Sequence, residues 1–149
     1  MKKKDSFKIL GISCPLSKEL LENFDKIPHQ WDQALNDGTL NKLNQLNDQE
    51  PLGLLGVSIH HLDDWRYFIA VSSTNHDPNF EDYYIESATW AIFSGQGTNR
   101  SLQELERRVI TQWLISSGYE YANIPDIEVY LKADQNDAIY EYWLPVIKK

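Results

Sequence analysis

The sequence predicts an α+β fold in which duplicated βαββ units form a curved antiparallel sheet, with helices on one face and a ligand groove on the other. Runs typical of strands and helices occur in the order strand, helix, strand, strand in residues 1–76 and again in residues 80–149. Residues 75–79, with the sequence NHDPN, have the composition of a turn and separate the halves. The length of 149 residues suits one domain, so we predict a single domain over residues 1–149.

The first half begins with a predicted strand at residues 7–14. A helix follows Ser17, and Pro28 suits the first turn of a further helical stretch. From Trp31 onwards apolar residues recur at helical spacing, until the Asn-Asp-Gly sequence that ends at Gly38 closes the helix. The remainder is assigned to one or two helical turns at 40–46, strands at 54–59 and 65–71, and a hairpin turn at 60–64.

The second half repeats this order of elements. A strand at residues 84–93 ends at the glycine-containing sequence 94–97, and Ser101 is predicted to cap the next helix, with Glu104 completing a capping box. The helix carries Trp113 on its apolar side, where we expect it in the core, and stops at Gly118. The remaining assignments are two strands, at 124–131 and 139–146, and a turn at 132–137.

Glu128 is the main candidate for a functional residue. Side chains alternate along a strand, so Glu128 and Tyr130 face one way while Ile127 and Val129 face the other. On residue type alone, a solvated strand face or a surface ion pair is the expected position for this glutamate. If it faces an aromatic-lined cavity instead, it is a buried anion that a cation would stabilise.

Composition narrows the possible partners. The formal net charge is −8, with 14 Lys and Arg against 22 Asp and Glu, which disfavours direct binding to nucleic acid. An acidic surface favours a cationic small molecule or a basic protein partner. The chain has five Trp, eight Tyr and five Phe, and such residues enrich binding surfaces as well as cores. No run approaches membrane-spanning length, so we predict a cytoplasmic protein without membrane contact.

We predict neither a metal site nor a cofactor. His60-His61 with Asp63-Asp64 resembles a ligand cluster, but adjacent residues of a strand point apart, so a hairpin turn explains the pattern better. Residues 95–97, with the sequence GQG, lack the Lys-Ser/Thr of a phosphate-binding loop and are predicted to be a tight turn. Cys14 is the single cysteine and forms no disulfide within the chain.

Four segments in order, with two weaker ones before them, resemble the GyrI-like effector-binding domain. This domain is also the ligand-binding part of AraC-type and MerR-type multidrug regulators. The resemblance is to a stand-alone member, because regulators of this class carry a helix-turn-helix domain and we expect none before Phe7. The four segments are 87–97 (SATWAIFSGQG), 113–119 (WLISSGY), 125–130 (PDIEVY) and 142–146 (YWLPV), and the weaker ones are 27–31 (IPHQW) and 54–57 (LLGV).

The resemblance implies a groove that binds amphipathic, often cationic, molecules. The acid of the family's Ile-Glu-Val-Tyr strand corresponds to Glu128, the position two residues later to Tyr130, and the aromatic residue before Leu-Pro-Val to Trp143. Further aromatic residues that line either the groove or the core are Trp31, Tyr67 and Trp90. The predicted ligand-binding residues are therefore Glu128, Trp143, Tyr130, Trp90, Trp31 and Tyr67, and no catalytic residue is assigned.

Three functions remain open at this point. The first is binding of a cationic or amphipathic compound over Glu128, as an effector-binding component of transcriptional regulation or in drug sequestration. The second is hydrolysis of reactive cyclic compounds, with Glu128 as a general base and Tyr130 polarising the substrate. The third is inhibition of a protein partner, whose basic surface would contact the acidic surface of this chain.

Overall fold

The computed structural model describes residues 1–16, 20–61, 64–132 and 137–149. The predicted helix start at Ser17 and parts of the two predicted hairpin turns, at 62–63 and 133–136, lie outside these residues. The strands are β1 (Lys2–Lys4), β2 (Phe7–Pro15), β3 (Leu54–His61), β4 (Asp64–Ser72), β5 (Glu81–Ile85), β6 (Ala88–Gly97), β7 (Tyr119–Tyr121), β8 (Ile127–Lys132) and β9 (Ala138–Lys148). The helices are α1 (Leu20–Asn36), α2 (Thr39–Leu46), α3 (Asn99–Arg108), a π-helical segment (Val109–Trp113) and α4 (Leu114–Ser116).

One antiparallel sheet connects the two halves. Its strand order is β1-β6-β9-β8-β3-β4-β2-β5, and β7 pairs with β9 outside this path. The central six strands therefore run β6-β9-β8 in one half and β3-β4-β2 in the other, which places equivalent strands at equal distances from the β3–β8 seam. The predicted α+β class and the curved antiparallel sheet are confirmed, as is the repeated order of elements.

The sheet curls until its two ends meet. Lys2 of β1 is opposite Trp90 of β6, and this register continues without a shift into the pairing of Phe7 in β2 with Ile85 in β5. The chain between β5 and β6 is only residues 86–87. The sheet is therefore strongly curled, and we call this shape a half-barrel.

The inner face of the half-barrel is an apolar core. It takes residues from both ends of the sheet and from its centre, which is possible only if this face is on the inside of the curl. The buried members are Ile9, Leu55, Val57, Ile59, Phe68, Ala70, Ile85, Trp90, Ile127, Val129 and Trp143. Close packing of such side chains removes apolar surface from water and stabilises the sheet.

The helices cover the outer face in two separate clusters. In the first half, α1 and α2 pack on β3 and β4 through residues such as Ala34 and Leu43. In the second half, α3 and the π-helical segment pack on β6 and β9 through Leu102 and Val109. Trp113 belongs to this second cluster, where its ring meets that of Phe93 edge-on at a centroid distance of 5.1 Å.

We predicted a ligand groove on the face of the sheet opposite the helices. In the structure that face is the packed interior of the half-barrel. Glu128 instead lies on the helix-bearing face, because its neighbours Ile127 and Val129 point into the inner core. The polar side chains that could form a site with Glu128 are therefore expected on the helix-bearing face.

Several local predictions also differ from the structure. Helix α1 continues through Pro28 instead of restarting there. Residues 94–97 extend strand β6 and pair with β9, so the predicted turn at Gly95-Gln96-Gly97 is wrong. The cap of α3 is Thr98, whose side chain accepts a hydrogen bond from the Ser101 backbone N–H, and not Ser101 itself. Within the described residues, no helix has both the length and the apolar composition that a membrane crossing requires.

Candidate functional site

Glu128 lies at the centre of the seam between the two halves. It is directly opposite Gly56 of β3 in the β3–β8 ladder. Two tyrosine hydroxyls donate hydrogen bonds to its Oε1 atom: Tyr67 of β4 at 3.1 Å and Tyr130 of β8 at 3.2 Å. The glutamate is therefore not a solvated residue of the sheet surface, but the acceptor of a polar network.

Helix α1 contributes Trp31 to this network. The indole Nε1 of Trp31 donates a hydrogen bond to the Tyr67 hydroxyl at 3.0 Å. The Trp31 ring also meets the Tyr130 ring edge-on, with centroids 5.1 Å apart. The structure thus brings together four of the six predicted residues, namely Glu128, Tyr130, Tyr67 and Trp31.

The other two predicted residues lie elsewhere. In the β8–β9 ladder Trp143 is opposite Ile127, whereas Tyr142 is opposite Glu128, so Trp143 points into the half-barrel. Trp90 packs beside it there, with ring centroids 5.7 Å apart, and both are buried in the inner core. The predicted grouping of Trp143 and Trp90 with Glu128 is corrected on this point, because a one-residue step along a strand changes the face.

Two further acids extend the network, and neither was identified from the sequence. Glu106 of α3 lies near enough to Glu128 for the charge of Glu128 to raise the pKa of Glu106. Asp126, just before β8, accepts a hydrogen bond of 2.5 Å from the Tyr142 hydroxyl. We call Glu106, Asp126 and Glu128 the acid cluster, because Glu128 and Asp126 raise the pKa of Glu106, and Glu128 raises that of Asp126.

Two members of the acid cluster, Glu106 and Asp126, have raised pKa values. Burial raises the pKa of Glu106, and the neighbouring Glu128 and Asp126 raise it further. Burial also raises the pKa of Asp126, against the effect of its hydrogen bond from Tyr142. The pKa values of Tyr67 and Tyr130 are raised by burial and by the charge of Glu128, so both hydroxyls remain donors.

No Lys or Arg forms an ion pair with the acid cluster among the described ion pairs, although the charge of His60 lowers the pKa of Asp126. Those pairs involve acids at the surface, such as Glu50 with Lys2 and Glu81 with Arg66, and none includes a member of the acid cluster. A buried carboxylate without a cationic partner is costly in free energy. The arrangement is therefore chemically suited to accept a positive charge.

Gly56 is what allows the network to form. A Cβ atom at this position would lie 2.2 Å from the Tyr67 hydroxyl oxygen and 2.7 Å from Glu128 Oε1. Any side chain would therefore occupy the space through which Tyr67 reaches Glu128. An isolated glycine within a strand is the sequence signal for such a close approach, and it could have identified this residue.

Other features of the surface are separate from this network. A groove of about 400 Å³ beside α3 is lined by Phe93, Leu105, Arg108, Val109, Gln112, Trp113 and Ser116, none of which is a predicted ligand-binding residue. His60 packs edge-on against Trp65 at a centroid distance of 4.8 Å. Among the described residues, no group of three His, Cys, Asp or Glu side chains is arranged to hold a metal ion.

The class of this protein is that of the effector-binding domains. The model of one protein family, described as Cass2, integron-associated effector binding protein, matches residues 1–146. The chain therefore belongs to this family of effector-binding proteins, and the predicted resemblance to the GyrI-like effector-binding domain is confirmed. A search of curated proteins finds no match.

Solved structures support the fold. The protein SAV2435, determined with bound tetraphenylphosphonium, has a TM-score of 0.80 and 21% identity, with 98% of this chain and 92% of that chain covered. A protein described as a bacterial transcription regulation protein from Staphylococcus aureus MU50 has a TM-score of 0.78 and 21% identity, covering 97% and 95%. The C-terminal domain of EcmrR has a TM-score of 0.61 and 16% identity, covering 99% and 96%. At these identities the likeness establishes the fold.

Proposed function

We propose that the protein binds a cationic, amphipathic small molecule, with Glu128 as the acidic anchor and with Trp31, Tyr67 and Tyr130 beside it. The observation that carries this proposal is the acid cluster, which has no cationic partner among the described ion pairs. A ligand cation would supply the missing charge, and aromatic faces next to the carboxylate would add cation–π attraction.

The family and the structural relatives agree with this proposal. The family is one of effector-binding proteins, and SAV2435 was determined with tetraphenylphosphonium, a hydrophobic cation. Two other relatives are described as a transcription regulation protein and as a domain of EcmrR, which was also determined in a complex with DNA. We propose the same class of role here: an effector-binding component of regulation, or sequestration of a cationic drug in the cytoplasm.

A thermal-shift titration with tetraphenylphosphonium chloride tests the proposal. Ligand that binds the folded state raises the melting temperature in a concentration-dependent way, and we expect this for the wild type. Glu128→Gln keeps the shape but removes the charge, so affinity should fall by about thirtyfold, or about 2 kcal/mol. The neutral analogue triphenylphosphine oxide should bind both proteins weakly and equally.

The exposed Glu120 of β7 provides a matched control. Glu120→Gln changes the net charge by the same amount, so it should bind tetraphenylphosphonium as the wild type does. Equal affinity of the Glu128→Gln variant and the wild type would contradict the role of Glu128 as anchor. Mass spectrometry of a candidate cyclic substrate after incubation distinguishes binding from the hydrolase alternative, which requires product formation that depends on Glu128.

A further inference from the structure

The groove of about 400 Å³ beside α3 has the size of a small-molecule site, and no member of the acid cluster lines it. We call it the α3 groove. Its inner side is apolar, with Val109 buried and the half-buried rings of Phe93 and Trp113 in edge-on contact. Its rim is polar and carries Arg108 and Gln112, two exposed residues one helical turn apart. An apolar inner side with a polar rim suits an amphipathic small molecule.

The wall of the α3 groove contains the π-helical turn. The backbone N–H of Leu114 donates a hydrogen bond to the carbonyl of Val109, five residues earlier. In a regular α-helix Trp113 would be rotated by roughly 80° from Leu105, because each residue turns the helix by about 100°. A wider turn rotates each residue by less, so Trp113 stays on the side of Leu105 and packs against Phe93. Such turns are rare and occur frequently at functional sites, and this one shapes the groove.

Arg108 places an unpaired positive charge on the rim of this groove. The chain has four arginines, and two of them, Arg66 and Arg100, form ion pairs with acids. Among the described residues, the side chains of Arg107 and Arg108 form no ion pair or hydrogen bond, although the chain carries 22 acids. A helix C-terminus does not explain these two cations, because the helical backbone continues to Ser116. Arg108 is therefore available to an anion that approaches the groove.

We propose that the α3 groove binds a small aromatic carboxylate, a second ligand whose charge is opposite to that of the ligand proposed for Glu128. The ring of this ligand lies against Trp113 and Phe93, where burial of apolar surface and ring contacts stabilise it. Its carboxylate accepts two hydrogen bonds from the planar guanidinium of Arg108, a geometry to which arginine is suited. The amide of Gln112 supplies a further donor on the same rim. A neutral compound of the same shape gains the ring contacts but not the ion pair.

Isothermal titration calorimetry of the full chain with sodium cinnamate tests the proposal. The wild type should bind cinnamate, and it should bind the neutral analogue cinnamamide about tenfold more weakly, since the amide forms no ion pair with Arg108. Arg108→Gln keeps a hydrogen-bond donor but removes the charge, so its affinity for cinnamate should fall by about tenfold. Arg107→Gln is the matched control. It removes the same charge from an adjacent exposed residue that does not line the groove, and it should bind cinnamate as the wild type does.

Nuclear magnetic resonance identifies where cinnamate binds. The indole N–H signal of Trp113, assigned with Trp113→Phe, should shift on addition of cinnamate, whereas that of Trp31, which donates to Tyr67 beside Glu128, should not. The inference is overturned if cinnamate at millimolar concentration does not bind, or if Arg108→Gln binds it no more weakly than Arg107→Gln does. A shift of the Trp31 signal without a shift of the Trp113 signal also overturns it. Failure of tetraphenylphosphonium to bind would contradict the proposed function and leave this inference intact.

Discussion

Gly56→Ala should destabilise the fold by pushing the Tyr67 hydroxyl away from Glu128. The added Cβ would lie 2.2 Å from the Tyr67 Oη and 2.7 Å from Glu128 Oε1, far inside van der Waals contact. The hydroxyl has to move by more than about 1 Å to reach ordinary contact, since non-bonded atoms meet at roughly 3.5 Å. Such a movement breaks its hydrogen bond to Glu128 at 3.1 Å and the one from Trp31 at 3.0 Å.

The expected cost follows from these two contacts. A hydrogen bond to a charged group contributes about 1.5–3 kcal/mol and a neutral one about 1 kcal/mol. Alanine is more favourable than glycine within a strand, and this offsets roughly 0.5–1 kcal/mol of the loss. We therefore expect a loss of about 2–3 kcal/mol in the free energy of unfolding.

Urea denaturation followed by tryptophan fluorescence measures this loss as a lower midpoint at unchanged slope. A double-mutant cycle with Tyr67→Phe isolates the cause, because Phe lacks the oxygen that the Cβ would strike. The double variant should lose at least about 1 kcal/mol less free energy of unfolding than the sum of the two single-variant losses. Additive losses, or a loss below about 1 kcal/mol for Gly56→Ala alone, would refute the reasoning.

Two further predictions concern the buried residues of the seam and of the half-barrel. Glu106→Gln should become more stable relative to the wild type as pH rises above 4.5, the ordinary pKa of glutamate. The raised pKa of Glu106 keeps this side chain protonated in the folded protein, whereas it ionises in the unfolded chain. The free energy of unfolding of the wild type therefore declines as pH rises toward the folded-state pKa. Melting temperatures of both proteins between pH 5 and pH 9 measure this difference, and parallel curves would contradict it. Trp143→Phe should lower the melting temperature because its ring is buried in the inner core, yet leave tetraphenylphosphonium affinity within about twofold. A large loss of affinity at an unchanged melting temperature would instead place Trp143 in the binding site.

The order of strands and helices could be predicted from the sequence because it is a local property. Alternation along β8 correctly placed Glu128 and Tyr130 on one face and Ile127 on the other. Which of these faces carries the helices depends on how the sheet curls, and that is set by the long-range pairing of β1–β2 with β5–β6. No short-range pattern contains this information.

The candidate site was predictable only in part, for a similar reason. Tyr142 and Trp143 are adjacent in β9, and their faces depend on the register with β8, which shifts between Tyr130 and Lys132. The position of Glu106 in the helical pattern could have identified it as a buried acid. It lies four residues after Leu102 and three before Val109, so it occupies the inward side of α3 among buried apolar residues. A charged residue at such a position is unusual and indicates a partner in the interior.

The pairing of Gly56 with Glu128 makes the seam chemically one-sided. The strand order is the same on either side of β3 and β8, so the backbone offers a ligand two equivalent orientations. The side chains remove this equivalence, because Glu128 of β8 carries a carboxylate whereas Gly56, opposite it in β3, has no side chain. If Glu128 anchors the ligand as proposed, the two matching halves are not equivalent for binding, and we expect one cationic ligand per chain, bound in one direction.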